Sequence, residues 1–336
     1  MGAKNAGLEV DLAIDLDKNS GETYRENHKN TQFLLKDVRS LTLSDLPRSK
    51  NAKMLVGGPP CQGFSTSNQR NRSLENPNNK LVDEYLRIVK MWKPDIILFE
   101  NVKGFPEACD GFFLDRLIHG LDIMGYNFDM GTLNAVDFGV PQIRNRFFVI
   151  GSMKNTCPQL PVGDQNRRVS VKEAFSGLPI LENGASVCYK KYAKCDYSEY
   201  SKSLMDASAS GCFNHLVTQN SKKVIERYRH IKPGGNWTQI PANLMQNYKD
   251  RSRCHTGIYR RLEMSCPSVV IGNYRKNMLI HPSKDRGLSV REAARLQSFP
   301  DSYKFTGSIG FQQQQVANAV PPLLSSAIFK QLLKLI

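Results

Sequence analysis

The sequence predicts an α/β protein with a doubly wound, parallel β-sheet. In its first half, short apolar runs that end in glycine or acidic residues alternate with segments whose apolar residues recur at helical spacing. Such alternation is typical of a parallel sheet with helices on both faces. The expected strands are residues 12–16, 54–56, 96–99 and 147–150, and the expected helices are residues 20–29, 81–92 and 115–124.

The chain changes character near residue 157, where periodicity weakens and basic pairs become frequent, and it regains order near residue 285. Ser289 precedes a predicted helix at 290–297, and Glu292 completes a capping box. A further helical region at 312–335 is interrupted by two prolines. We therefore expect a catalytic domain in residues 1–156, an inserted recognition domain in residues 157–284, and a C-terminal segment, residues 285–336, that returns to the catalytic domain.

Length, composition and charge narrow the class of protein. The chain has 336 residues, of which 40% are hydrophobic and 23% are charged, so a disordered, collagen-like or coiled-coil protein is excluded. Lys and Arg number 46 against 31 Asp and Glu, a net charge of +15. This excess favours a polyanionic partner such as nucleic acid, although a basic surface can also serve solubility alone.

The cysteines and the N-terminus indicate the compartment. None of the eight cysteines is spaced as in a zinc site, so no structural metal is expected. The first residues lack the basic flank and apolar run of a signal peptide, and no apolar stretch is long enough to span a membrane. We expect a cytoplasmic protein with reduced thiols, in which a cysteine in an unusual setting is a candidate nucleophile.

One unusual loop follows the predicted strand at 54–56 and reads Gly-Gly-Pro-Pro-Cys-Gln-Gly-Phe-Ser over residues 57–65. Two glycines and two prolines would hold Cys61 at a fixed angle beyond the carboxyl end of the strand, where ligands bind in open α/β sheets. The alternative interpretation is a buried structural cysteine in a turn. We favour a nucleophilic Cys61.

Two further elements carry ionisable side chains. Glu100 ends a strongly apolar strand, where burial would raise its pKa and keep a proton available, although it could also be a helix cap or a solvated strand end. Arg144 and Arg146 lead into the strand at 147–150 and share a face by the two-residue period, so they could hold a carbonyl oxygen or a phosphate. They could equally be a solvated surface pair.

At these positions the sequence resembles the DNA cytosine-5 methyltransferase family, in particular its bacterial restriction-modification members. The similarity extends from residue 57 to residue 322 and includes five elements in the family's order. It implies a Rossmann-like methyltransferase sheet with a smaller, inserted target-recognition domain. The five elements are Pro-Pro-Cys-Gln-Gly-Phe-Ser at 59–65, Glu-Asn-Val at 100–102, Gln-Ile-Arg-Asn-Arg at 142–146, and the segments at 291–300 and 315–322.

The resemblance implies a mechanism. Cys61 would add to C6 of cytosine, Glu100 would hold the N3 edge and supply a proton, and C5 would take a methyl group from S-adenosyl-L-methionine. Arg146, with Arg144, would contact the cytosine. Because C5 and C6 are buried in a stacked duplex, the base must first be flipped out of the helix.

The resemblance also implies binding residues. For the cofactor these are Asp15, Leu16, Asp37, Val38, Pro60, Leu81 and Asn318. For DNA they are Gln62, Ser65, Lys249, Arg251 and Arg253, of which the last three could instead form a solvated basic loop. Two departures from the family's pattern are present: its opening strand and Phe-x-Gly-x-Gly loop are missing, and Ala317 replaces a glycine.

The leading prediction is a DNA cytosine-5 methyltransferase that acts on double-stranded DNA as a monomer in the nucleoid, with a cognate restriction endonuclease as a further partner and no membrane association. A DNA-binding remnant without turnover is the first alternative, because the opening motif is missing. An RNA cytosine-5 methyltransferase is the second. Gly63-Phe64-Ser65 after Cys61-Gln62 favours DNA over RNA.

Overall fold

A computed structural model describes residues 1–49, 51–59, 80–154, 156–206, 208–246, 248, 257–272, 274 and 278–336. The first half alternates strands and helices, as predicted. Its elements are α1 (Gly2–Asn5), β1 (Leu12–Asp15), α2 (Lys18–Asn27), β2 (Gln32–Leu35), β3 (Met54–Gly57), α3 (Leu81–Trp92), β4 (Ile96–Val102), α4 (Phe112–Ile123), β5 (Asn127–Asn134) and β6 (Asn145–Ser152).

The second half has shorter elements. They are α5 (Val171–Phe175), β7 (Lys190–Lys191), α6 (Glu199–Leu204), β8 (Gly211–Cys212), α7 (Lys222–Arg229), α8 (Val290–Leu296), α9 (Ile309–Asn318) and α10 (Pro322–Leu332). The capping box of α8 is confirmed, since Ser289 accepts from the backbone N–H of Glu292 and the Glu292 carboxylate accepts from that of Ser289. The predicted break at Pro321-Pro322 separates α9 from α10.

The central sheet is mixed, with strand order β3-β4-β6-β5. Strand β3 runs parallel to β4, whereas β6 runs antiparallel to both β4 and β5. The predicted α/β class is confirmed, and the expectation of a wholly parallel sheet is corrected at β6. Neither β2 nor β5 was predicted, because no residue of either strand is fully buried and β5 includes several polar residues.

Strand β4 is buried on both faces, as a doubly wound sheet requires. Ile97 and Phe99 pack against α3 and α4, while Ile96 and Leu98 pack against α10. This double burial explains why β4 reads as a continuous apolar run in the sequence. The strand continues through Glu100 to Val102, so the backbone of Glu100 is held within the sheet.

Strands β1 and β2 form a separate parallel pair. Among the described residues, β1 is hydrogen-bonded only to β2 within a sheet, and β3 only to β4. Both sheets nevertheless contact one apolar cluster, which includes Leu41 and, from α3, Ile88. The residues that pack against it from the strands are Leu12 and Ile14 of β1 and Leu55 of β3. The two sheets therefore share a helix layer.

The region from 157 to 284 has little regular structure, and its apolar residues divide between two clusters. Tyr228, Ile240 and Tyr259 belong to a cluster built within that region. Phe175 and Ile271, by contrast, share a core with residues of α8 and α9. The three-part domain division stays a prediction. Within the described ranges, no helix has the length and apolar character that crossing a lipid bilayer would require.

Candidate active site

Glu100 and Arg146 form an ion pair across neighbouring strands. Glu100 lies near the end of β4 and Arg146 near the start of β6, and the antiparallel register aligns Arg146 with Val102, two residues beyond Glu100. The Arg146 Nε lies 3.1 Å from Glu100 Oε1, and both side chains are largely buried. The two predicted catalytic residues are therefore brought together by the sheet.

The pKa of Glu100 is raised above the ordinary glutamate value. Burial is the largest cause, since removal from water disfavours the carboxylate. The positive charges of Arg146 and then Arg144 act in the opposite direction but do not cancel the effect of burial. A carboxyl group held in this way keeps its proton to higher pH than a solvated one, which suits a proton donor.

Two residues that we did not predict as site residues fix the surroundings of Glu100. A Cβ atom on Gly58 would lie 3.0 Å from Glu100 Oε2, a tight contact, so the absence of a side chain at residue 58 lets the carboxylate lie close to the backbone. Asn101 is 3% exposed, its Nδ2 donates to the carbonyl of Pro59 at 3.4 Å, and its Oδ1 accepts from the N–H of Val102 at 2.9 Å. The sequence features that could have identified them are the Gly-Gly pair that contains Gly58 and the Glu-Asn-Val element that contains Asn101.

Several predicted site residues lie outside the described part of the chain. The described chain stops at Pro59, two residues after β3, and resumes at Lys80, immediately before α3. Their predicted roles remain as the sequence gives them. These residues are Pro60, Cys61, Gln62 and Ser65, which fall between 60 and 79, and Lys249, Arg251 and Arg253, which fall between 249 and 256.

Arg144 occupies a different environment from Arg146. It is 1% exposed, and its guanidinium donates to the carbonyls of Ile271 at 3.1 Å, Ala317 at 2.8 Å and Ala319 at 2.9 Å. Its neighbour Gln142 is also fully buried and joins the same parts of the chain, accepting from the N–H of Ile271. Arg144 is therefore engaged with main-chain carbonyls.

The predicted cofactor residues of the first domain gather at one edge of the β1–β2 pair. Asp15 ends β1, and its carbonyl accepts from the N–H of Lys36 just after β2. Leu16 follows with 65% of its surface exposed. The Asp37 carboxylate accepts hydrogen bonds from Arg39, which lowers its pKa. Because both strands run parallel, their carboxyl ends and the residues that follow them lie at the same edge of the pair.

Helix α3 adjoins this edge. The side chain of Arg87 in α3 donates to the carbonyl of Val38 at 2.8 Å. Leu81 is the first residue of α3, and Val38 contributes to the apolar cluster beneath it. The predicted residues Val38 and Leu81 therefore belong to elements in direct contact.

Helix α9, which ends at Asn318, contacts α2. Gln315 donates to the carbonyl of Asn19 in the first turn of α2 at 3.4 Å. Asn318, one turn further along α9, is exposed at the end of the helix and accepts from Gln314. The structure thus connects α9 to α2 next to Asp15 and Leu16, while the binding roles of these residues remain predictions.

The model of the C-5 cytosine-specific DNA methylase family matches residues 1–334 of this chain. The chain belongs to that family. It is 32% identical over 340 residues to the type II methyltransferase M1.HphI of Haemophilus parahaemolyticus, covering 100% of this chain and 83% of the relative. It is 30% identical over 358 residues to M.DdeI of Desulfomicrobium norvegicum, covering 98% and 85%.

A solved structure supports the fold. A prophage-encoded E. coli protein described as a DNA modification methyltransferase superposes with a TM-score of 0.78 at 24% identity, covering 99% of this chain and 94% of that one. At this identity the likeness shows the Rossmann-like fold alone. The family itself rests on the match of the whole chain, and it confirms the resemblance drawn from the five sequence elements.

Proposed function

We propose that this cytosine-5 DNA methylase transfers a methyl group from S-adenosyl-L-methionine to C5 of a flipped cytosine in duplex DNA, through a covalent bond between Cys61 and C6. The observation that carries the proposal is the buried Glu100–Arg146 pair, which lies against Gly58 at the start of the loop that leads to Cys61. A nucleophile and a buried acid at one site are what this chemistry requires.

The residues have distinct tasks. The Cys61 thiolate adds to C6, and Glu100, with its raised pKa, holds the N3 edge and supplies the proton that balances the new charge on the ring. The ring then carries a nucleophilic C5, and Arg146 keeps Glu100 oriented while contacting the base. S-adenosyl-L-methionine, when bound, supplies the electrophilic methyl group. A base, which solvent can supply, then takes the C5 proton, the C5–C6 double bond is restored, Cys61 leaves as a thiolate, and the N3 proton returns to Glu100.

The edge formed by β1 and β2 fits the cofactor. The exposed Asp15 carboxylate can accept hydrogen bonds from ribose hydroxyls, and the exposed apolar side chain of Leu16 can cover the adenine. Asp37, Val38, Leu81 and Asn318 complete the proposed contacts from neighbouring elements, and Pro60 contributes from the loop. This donor set suits a nucleoside with free hydroxyl groups.

DNA is the proposed substrate because the net charge of +15 favours phosphate contacts. We assign target recognition to residues 157–284, with Gln62, Ser65, Lys249, Arg251 and Arg253 as contacts. The named type II relatives make a cognate restriction endonuclease the expected partner. We place the enzyme in the cytoplasm, on the nucleoid, as a monomer.

Covalent trapping tests the proposal. The chain is incubated with S-adenosyl-L-methionine and a long mixed-sequence duplex in which 5-fluorocytosine replaces cytosine, and adducts are measured by mass spectrometry after denaturation. Fluorine at C5 cannot leave as a proton does, so the covalent complex should persist. We expect an adduct at Cys61 that carries one added methyl group.

Two controls sharpen the result. Cys61→Ser should give no adduct, whereas Cys188→Ser, which changes an exposed free cysteine, should react like the parent protein. DNA binding without any adduct would instead identify a remnant without turnover. An adduct on fluorinated tRNA but not on duplex DNA would identify an RNA methyltransferase. Either result would overturn the proposed function.

A further inference from the structure

The guanidinium of Arg144 holds the end of α9. Its Nη2 donates to the carbonyls of Ala317 and Ala319, the residues on either side of Asn318. Carbonyls in the last turn of a helix have no partner within the helix, and a positive charge there is favourable. Helix α9 has no basic residue in its own last turn. Arg144 supplies that charge from another part of the chain.

The same short segment also carries the partner of Glu100. Arg144 lies two residues before Arg146, whose Nε contacts Glu100 at 3.1 Å. Arg144 is itself close enough to Glu100 for its charge to act on the carboxylate. The backbone from 144 to 146 therefore connects the end of α9 with the ion pair.

A second anchor fixes the start of this segment. The carboxamide of Gln142 accepts from the N–H of Ile271 at 2.9 Å and donates to the carbonyl of Leu296 at 3.1 Å. Arg144 donates to the carbonyl of that same Ile271. Both terminal nitrogens of Arg144 donate to backbone carbonyls, and its Nε has no partner among the described residues. Because the side chain is 1% exposed, the protein itself encloses the guanidinium.

We propose that Arg144 is a positioning residue, rather than a residue that contacts the cytosine. It fixes the position of Asn318 relative to the Glu100–Arg146 pair. This inference rests on the proposed function only where it concerns the cofactor. Lysine cannot replace Arg144, because an ammonium group lacks the planar fork that reaches several carbonyls at once.

Hydrogen exchange of the ligand-free protein tests the contact itself. Arg144→Lys should speed amide exchange in the peptide at 314–320 by about tenfold or more, because two buried carbonyls lose their donor. The matched control is Arg261→Lys. Arg261 is also buried and donates to the carbonyls of Tyr228, Ile231, His281 and Lys284, far from α9 in the sequence. That control should leave exchange at 314–320 unchanged.

A double-mutant cycle tests the consequence for the cofactor. S-adenosyl-L-methionine affinity is measured by equilibrium dialysis for the parent, Arg144→Lys, Asn318→Ala and the double variant. Arg144→Lys should weaken S-adenosyl-L-methionine binding in the parent protein. If Arg144 acts through Asn318, this loss of affinity should be smaller by about 2-fold to about 100-fold when Asn318→Ala is already present. Independent losses that multiply would overturn the proposal.

The outcomes separate the two proposals. If Arg144→Lys does not fold, Arg144→Met replaces it, since an apolar side chain of similar length removes the buried charge as well as the hydrogen bonds. Unchanged exchange at 314–320 in a folded variant would overturn the positioning role. A parent protein that binds no S-adenosyl-L-methionine, yet shows faster exchange in the Arg144 variant, would contradict the proposed function and support the contact.

Discussion

The Nε of Arg146 lies 3.1 Å from Oε1 of Glu100, between two strands that run in opposite directions. The pair is largely buried, so water does little to weaken it. Burial nevertheless outweighs the arginine charges and leaves the pKa of Glu100 raised. This balance between burial and charge is open to direct measurement.

Glu100→Gln should slow methyl transfer by about 10²- to 10⁴-fold, since the carboxamide keeps the shape of the side chain but cannot donate the acidic proton. Single-turnover methylation of duplex DNA measures the rate. Glu107→Gln, an exposed glutamate in the loop after β4, is the control and should retain the parent rate. An unchanged rate for Glu100→Gln would leave Glu100 a structural role only.

Arg146→Met should raise the pKa of Glu100 further, because the largest opposing charge is removed while burial remains. The titration of Glu100 is measured by infrared spectroscopy at several pH values. The spectrum of the same protein with Glu100→Gln is subtracted, so that the remaining carboxyl band belongs to protonated Glu100. Arg168→Met, which removes the partner of Asp137 elsewhere, should leave that titration unchanged. A lower pKa in the Arg146 variant would contradict the assigned effect of the Arg146 charge on Glu100.

The raised pKa of Glu100 has a consequence for stability. The folded state binds this proton more tightly than the unfolded state, so the free energy of unfolding should fall as pH rises from the ordinary glutamate pKa through the raised one. Urea unfolding at several pH values measures it. Glu100→Gln should flatten that part of the profile, and an identical slope in both proteins would contradict the shift.

Gly58→Ala should slow methyl transfer while the protein remains folded. The added Cβ would lie 3.0 Å from Glu100 Oε2, so the carboxylate must move away from its position. The control is Gly272→Ala, where a Cβ has no atom within 4 Å. Single-turnover rates and thermal unfolding of both variants separate an effect on Glu100 from a loss of stability, and equal rates in the two variants would argue against the contact.

Asp15→Ala should weaken S-adenosyl-L-methionine binding by about tenfold or more, since a charge-assisted hydrogen bond to a ribose hydroxyl is worth about 1.5–3 kcal/mol. Equilibrium dialysis measures the affinity. Asp11→Ala, an exposed aspartate just before β1, is the control. Equal affinities in the two variants would remove Asp15 from the cofactor site.

His281 should make stability depend on pH between 4 and 6.5. Its pKa is lowered to about 4, mainly because burial disfavours the charged imidazolium, while the negative charge of Glu292 acts in the opposite direction. The unfolded state binds more protons in this window, so stability rises with pH, by about 2 kcal/mol between pH 5 and pH 7 from this residue. The slope of urea unfolding against pH should be smaller in His281→Gln, and the parent slope in that variant would refute the assignment.

Local patterns in the sequence were sufficient to predict many of the helices and strands. Strand β4 was predictable because it is buried on both faces, and α8 because its capping box is local. Strand β5 was not, since it is an edge strand whose polar residues become a strand only by pairing with β6. The antiparallel direction of β6 likewise depends on its neighbours.

The sequence by itself determined the family and the main chemical groups, because the five elements and the residue types within them are local. Only the tertiary structure decided that Arg144 and Arg146, two residues apart, have different partners. Arg146 faces Glu100, whereas Arg144 reaches carbonyls 127 to 175 residues away in the chain. No local pattern can specify such partners, since they meet only when distant helices and strands pack into one core.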